Sequence, residues 1–355
     1  MNRFHKTLTL VMFTGMALLA ITPVYAQDTE NADLAAIKTY LMTTAAELKT
    51  NTEALVEASQ AYYDLAEAAD FDYEALWADD AEAVTAAFTA ARESWIAASP
   101  LYEQIEGVVA GVPVLSEYDV ILDAGVSVEE DPENAADFSI TLPDGTVMEK
   151  PGNIFGLLEG TLWGTRTEFN SGVWADLDEN GDQDFAETLP DANYLLGMAQ
   201  SLDSHVSELI DSGEAWEPNE TDAFTALVVM VPTMSEYFGA WKESRFVLGE
   251  DSTQTDFVVI SRLADIEDIL GGLVVIYDSV SPSIASVDAA ASEQIRVDLV
   301  DLLTYVSDLY VQEQDGRVFM PEEADFFGSE AQDRAQSIAG QIAQVAALLN
   351  IELPE

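Results

Sequence analysis

The chain of 355 residues contains no cysteine, which removes disulfides, thiolate metal sites, thiol catalysis and an N-terminal lipid anchor. Basic residues are almost as scarce. Lys and Arg number 13 against 66 Asp and Glu, a formal net charge of −53. A surface of that sign repels nucleic acid and anionic lipid and attracts cations, and its plainest cause is solubility in a salty habitat. Histidine occurs twice, as His5 and His205, so imidazole chemistry has one candidate outside the N-terminal segment, and that residue reads as an ordinary helix-surface position. No Ser–His–Asp set, phosphate loop or dinucleotide motif is present. Long apolar runs are also missing: Leu8 to Ile21 is too short for a permanent membrane span, and no later stretch reads as long enough.

What the sequence does have begins with an export signal. Arg3 and Lys6 precede the apolar run, and Val24-Tyr25-Ala26 supplies a small-residue cleavage site, so residues 1–26 read as a signal peptide of an exported, periplasmic protein. Hydrophobic content of 48% rules out disorder despite the acidity. From Leu34 to Leu65 apolar residues recur every three or four positions, and Val84, Phe88, Trp95, Leu101 and Ile105 continue the pattern, with Pro100 as the expected kink. After a Gly- and Pro-broken stretch, residues 126–152 read as an irregular excursion with one hairpin at Pro143-Asp144-Gly145. Helical patterning returns near Asn153 and again over 190–211, 219–247, 255–277, 289–314 and 329–351, with breaks at Gly213, Gly249, Ser281-Pro282 and Asp315-Gly316. The class is all-α: two antiparallel helical bundles, 27–164 and 190–355, joined by a linker over 165–189.

That linker carries the most constrained pattern in the chain. In Asp176 to Glu187, DLDENGDQDFAE, oxygen side chains fall at loop positions 1 (Asp176), 3 (Asp178), 5 (Asn180), 7 (Asp182), 9 (Asp184) and 12 (Glu187), with Gly181 at position 6. This is the EF-hand ligand order for calcium, a hard cation that takes about seven oxygens at roughly 2.4 Å. Gln183 stands where a paired EF-hand places an aliphatic residue, no second loop exists, and Asn170 to Ala175 is a poor helix. The expectation is a solitary structural calcium loop; the competing reading is an acidic surface turn.

Several local patterns, in order, resemble the imelysin family and more closely its EfeO-type periplasmic members: Ala90-Ala91-Arg92, Tyr102-Glu103-Gln104-Ile105-Glu106, Tyr118-Asp119, Leu122-Asp123, Glu159 with Leu162-Trp163-Gly164, and later Gly249-Glu250-Asp251 and Thr255-Asp256-Phe257. The resemblance implies two helical bundles, a role in iron acquisition, and a metal site of a His-x-x-Glu pair with nearby carboxylates. Residue by residue it implies Glu159 as the Glu of the pair, Glu103 and Glu106 on the helix, and Asp119 and Asp123 in the following turn. The histidine does not carry over: Gly156 occupies its position, and Ile154 replaces the Gly two places earlier. A site of carboxylates alone suits ferric iron, calcium or magnesium rather than a borderline metal. Peptide hydrolysis, which needs an anchored Lewis acid and a base, is not expected, so the chain reads as a non-enzyme. The function expected is cation binding in the uptake of iron or another cation, with a membrane permease or surface protein as partner. The alternative is a calcium-stabilised scaffold that kept the fold and lost the iron site.

Overall fold

The structure is a computed structural model that describes residues 32–353; the signal segment 1–26 lies outside the described residues. Helix α1 (Leu34–Ala68) starts where the Asp33 carboxylate accepts from the Ala36 N–H, and α2 (Tyr73–Val109) where Asp72 does the same for Ala75. A short α3 (Ser116–Asp119) runs into a π turn at Val120–Ala124. The excursion contains the expected hairpin, β1 (Ser139–Thr141) with β2 (Val147–Glu149), turned at Gly145 with φ +88°. Asn153 caps α4 (Ile154–Leu162), and a second hairpin follows, β3 (Asn170–Trp174) with β4 (Thr188–Pro190). Next come α5 (Ala192–Ala215), α6 (Glu220–Met230), α7 (Met234–Glu243), α8 (Arg245–Leu248), α9 (Arg262–Gln314) and α10 (Pro321–Leu348).

The chain is mostly helical, as its periodicity implies, but three joints sit elsewhere than expected. The break in α2 falls at Asp80 (φ −130°, ψ 30°) rather than at Pro100. Residues 262–314 form one long element despite Ser281-Pro282, with the departure at Asp288 (φ −153°, ψ 92°). Gly213 lies inside α5, buried against Leu41 and Met42 of α1. Helix α5 therefore packs along α1, on the N-terminal side of the 190 boundary drawn from sequence. The second hairpin was not expected, since a five-residue and a three-residue strand are too short to show a strand period.

Two stretches, Glu220–Glu243 and Arg262–Gln314, are long and apolar enough to cross a membrane by length and composition, which corrects the reading that no later stretch is. In the fold 56% and 50% of these windows are buried, because α9 packs between α2, α6, α7 and α10 and is apolar on several sides as a core helix must be.

Helices α2 and α9 meet through glycine. A Cβ at Gly272 would enter the van der Waals envelope of the Gln104 carbonyl oxygen, and one at Gly107 would lie 2.9 Å from the Leu273 side chain. Backbone cannot yield as a side-chain tip can, so Gly272→Ala is expected to cost about 2 kcal/mol by overpacking. A shift of the urea midpoint at unchanged slope checks it.

Candidate metal centre

The close α2–α9 crossing positions the acidic residues. Glu103 and Glu106, three apart, share the α2 face turned toward α9. The chain then reverses through Gly111, whose missing side chain lets it pass Ala226 of α6, and returns with Asp119 on α3 and Asp123 on the π turn. The first turn of α9 contributes Arg262 and Asp265. Glu103, Glu106 and Asp123 each bring a carboxylate oxygen within 4.8 Å of the others. Glu103 and Glu106 are 3% and 4% exposed, which leaves solvent little share in compensating their charge.

Four of the five carboxylates have one oxygen partnered. Glu106 Oε1 accepts from the Tyr237 hydroxyl at 2.6 Å, and Asp119 from the Tyr102 hydroxyl at 2.8 Å. Glu103 Oε1 lies 3.5 Å from Nη1 of Arg262, which donates to Asp265 at 2.9 Å. The second oxygens, Glu103 Oε2 and Glu106 Oε2, are buried without a partner, and so is Arg262 Nε. Glu106, Asp119 and Asp123 face a cavity of about 340 Å³ shared with Glu130, Asp256 and Arg262.

Burial, reinforced by neighbouring carboxylates, shifts this group upward. Loss of water and the charge on Asp123 raise Glu106 to about 7, and loss of water with Asp265 and Asp123 nearby holds Glu103 well above the usual carboxylate range. Asp119 and Asp123 are raised for the same first reason, and Asp265 reaches about 6 although Arg262 opposes the shift. Arg262 is the arginine in contact with this group of five carboxylates, and Arg166 across the same cavity lies 3.9 Å from Asp256, so at neutral pH the cluster still needs protons or a further cation.

Glu159 is not part of that convergence. It is buried on α4, but Oε2 accepts from the Phe257 N–H at 2.5 Å and Oε1 from Val258 and Val259 at 2.9 and 3.0 Å. Three successive backbone donors, with Phe257 at φ +55°, wrap one carboxylate. Burial still pushes Glu159 up to about 8 against those donors. A slot of about 10 Å³, room for about one water, separates it from Glu103, Asp123 and Asp265. Glu159, which the resemblance places among the ligands, therefore stands outside the close set of Glu103, Glu106 and Asp123, with both oxygens accepting from the 257–259 backbone. At Gly156 an added Cβ would press on Asn153 Oδ1 and Asp256 Oδ2, both at 2.9 Å, so a histidine there must displace the α4 cap or Asp256. Sequence reasoning missed Arg262, Asp265 and Tyr237. One signal was available: Arg262 is one of only 13 basic residues, with an acid three positions on.

The 176–187 loop is a separate cluster, spanned by a hairpin instead of two helices. Asp176, Asp178 and Glu187 bring oxygens within 4.8 Å of one another. Gly181, at φ +86°, donates its N–H to Asp176 Oδ2 at 3.0 Å, and Asn180 Nδ2 reaches Asp178 and Asp184 at 2.9 and 2.8 Å. Glu187 accepts from the Leu177 and Asp184 N–H groups, while Asp176 Oδ1 is buried without a partner. Asp182 is exposed, and its N–H donates to Asn180 Oδ1. The loop is tied down on both sides. Arg92 donates to Leu162 O and Ala186 O, and the Arg245 guanidinium lies 3.8 Å from the Phe185 ring centroid.

Both clusters can hold a metal ion, and the oxygen-only donor sets suit a hard one. No curated protein matches the chain. A family model described as Imelysin matches residues 34–351.

Proposed function

The chain belongs to the imelysin family, and from that premise we propose that it is an exported cation-binding protein serving uptake of iron or another metal ion, of the EfeO-like kind, and not an enzyme. The observation that carries the reading is the pair of orphaned oxygens, Glu103 Oε2 and Glu106 Oε2, buried beside Asp123. A buried carboxylate oxygen without a donor is costly, and a shared cation offsets that cost for both. Glu103, Glu106 and Asp123 would hold the ion, Tyr237 fixes the Glu106 rotamer, and the cavity beside Asp119 gives room for remaining waters. An ion bound there would supply charge neutralisation, and the non-enzymatic part of the proposal is motivated by Gly156 standing where the family resemblance implies a histidine. The periplasm as compartment and a membrane permease as recipient go with this reading.

The 176–187 loop is proposed as a calcium site that braces the β3–β4 hairpin. A second reading, a calcium-stabilised scaffold without cargo, is favoured by Arg262, which already partners Glu103 and Asp265. Calorimetric titration of metal-stripped protein separates the two. On the uptake reading Glu106→Gln lowers affinity for ferric citrate or Mn²⁺ at least 100-fold and leaves calcium binding intact, while Asp176→Ala does the reverse. Calcium binding alone, lost only in Asp176→Ala, establishes the scaffold.

A further inference from the structure

The guanidinium of Arg262 is buried between two aromatic rings and two carboxylates. It is 5% exposed, stacks 4.0 Å from the Phe257 ring centroid and 4.7 Å from that of Tyr237, and its Nη1 spans Asp265 and Glu103. Phe257 is in turn fixed by Glu159, and Tyr237 by Glu106. The group cannot swing away to make room, and an arginine does not shed its proton at working pH. It also takes Glu103 Oε1 and Asp265 out of the set of free ligands, leaving Glu103 Oε2, Glu106 Oε2 and Asp123.

We propose that Arg262 sets the charge selectivity of the centre, acting as a built-in cation that weakens binding of every incoming metal and of trivalent ions more than divalent ones, so that the cargo is a divalent cation. The inference rests on the metal-binding reading above. Repulsion between a fixed positive charge and an ion scales with the charge of the ion, and in a buried site it is weakly screened. Four or five clustered carboxylates without a counter-cation would favour the highest charge available; one immobile guanidinium shifts that balance toward lower charge. A merely structural arginine predicts the opposite sign, because removing it would loosen the ligands and weaken binding of all ions alike.

The test compares Arg262→Met, which keeps the stacking volume without charge, with Arg262→Lys, which keeps the charge. Both are made in a chain carrying Asp176→Ala so that the calcium loop does not contribute. The probes are Mn²⁺ and Ga³⁺, the latter supplied as its nitrilotriacetate complex, with affinities read at one fixed pH and thermal melts recorded alongside. Arg262→Met is expected to bind Mn²⁺ at least ten-fold more tightly and Ga³⁺ by a larger factor, and Arg262→Lys to return the Ga³⁺/Mn²⁺ ratio toward that of the Arg262 chain. Weaker binding of both ions, or an unchanged ratio, overturns the proposal. Binding of neither ion by any of these chains overturns the metal reading itself. Should Arg262→Met fail to fold, Arg262→Gln, which can still donate to Asp265, carries the same ratio test.

Discussion

Glu159→Ala is expected to destabilise the metal-free protein by about 3–5 kcal/mol, the scale for leaving three backbone donors without an acceptor and emptying a buried side-chain volume. The substitution strands the N–H groups of Phe257, Val258 and Val259, of which the Val258 contact is fully buried, and empties the volume of a 2%-exposed side chain on α4. Glu159→Gln should cost less, since its oxygen can still accept from Val258 and Val259 while its amide opposes the Phe257 N–H. The effect then reaches the acidic cavity indirectly, because residues 257–261 set the stacking surface and the cap of α9 that hold Arg262. Urea denaturation with and without metal, together with hydrogen exchange at the 257–259 amides, provides the measurement. A direct ligand would behave differently. Its loss would leave the metal-free stability unchanged and abolish only the stabilisation that a bound cation adds.

The metal-free protein should also lose stability as pH rises from about 5 to about 8. The sign follows from the direction of the shifts: Glu106 at about 7 and Asp265 at about 6 in the folded chain bind protons that the unfolded chain has already released. Wherever the folded state holds more protons, stability falls with pH, so the contribution is complete below the unfolded carboxylate range near 4 and is gone above the folded values. For Glu106 alone the change is on the order of 3 kcal/mol, since each tenfold rise in proton affinity on folding is worth about 1.4 kcal/mol. Melting temperature against pH in chelator-treated protein should decline over that range, Glu106→Gln should make the decline shallower, and a cation held by the cluster should remove the share of Glu106 and Asp265 while leaving that of Glu159, which lies at about 8. A flat profile in the wild-type protein would show that the cluster is ionised and compensated by other means.

How much of the fold and the centre is legible in the chain depends on the range of the interaction. Helix periodicity is a local property, and the capping residues Asp33, Asp72, Asn153, Asp191, Asn219 and Ser261 are read within three positions of the groups they serve. The hairpin at Gly145 and the order of acids from Asp176 to Glu187 are equally local. The kinks are so only in part: Pro232 does interrupt the helix between α6 and α7, but the chain also departs from helix where packing requires it, at Asp80 and Asp288, with no proline there.

The sequence by itself determined the helical class, the family, the acidic surface, and the presence of Glu103, Glu106, Asp119 and Asp123 in two neighbouring segments. Only the tertiary structure decided which of those carboxylates converge, since that depends on α2, the π turn and the distant start of α9 meeting through glycines that carry no signal of their own. It showed what holds Glu159, three backbone N–H donors from 257–259, a partnership between residues about a hundred positions apart that no local pattern displays. It also placed Arg262 among the acids, a contact that no spacing rule connects, and with it the charge that the centre presents to an ion.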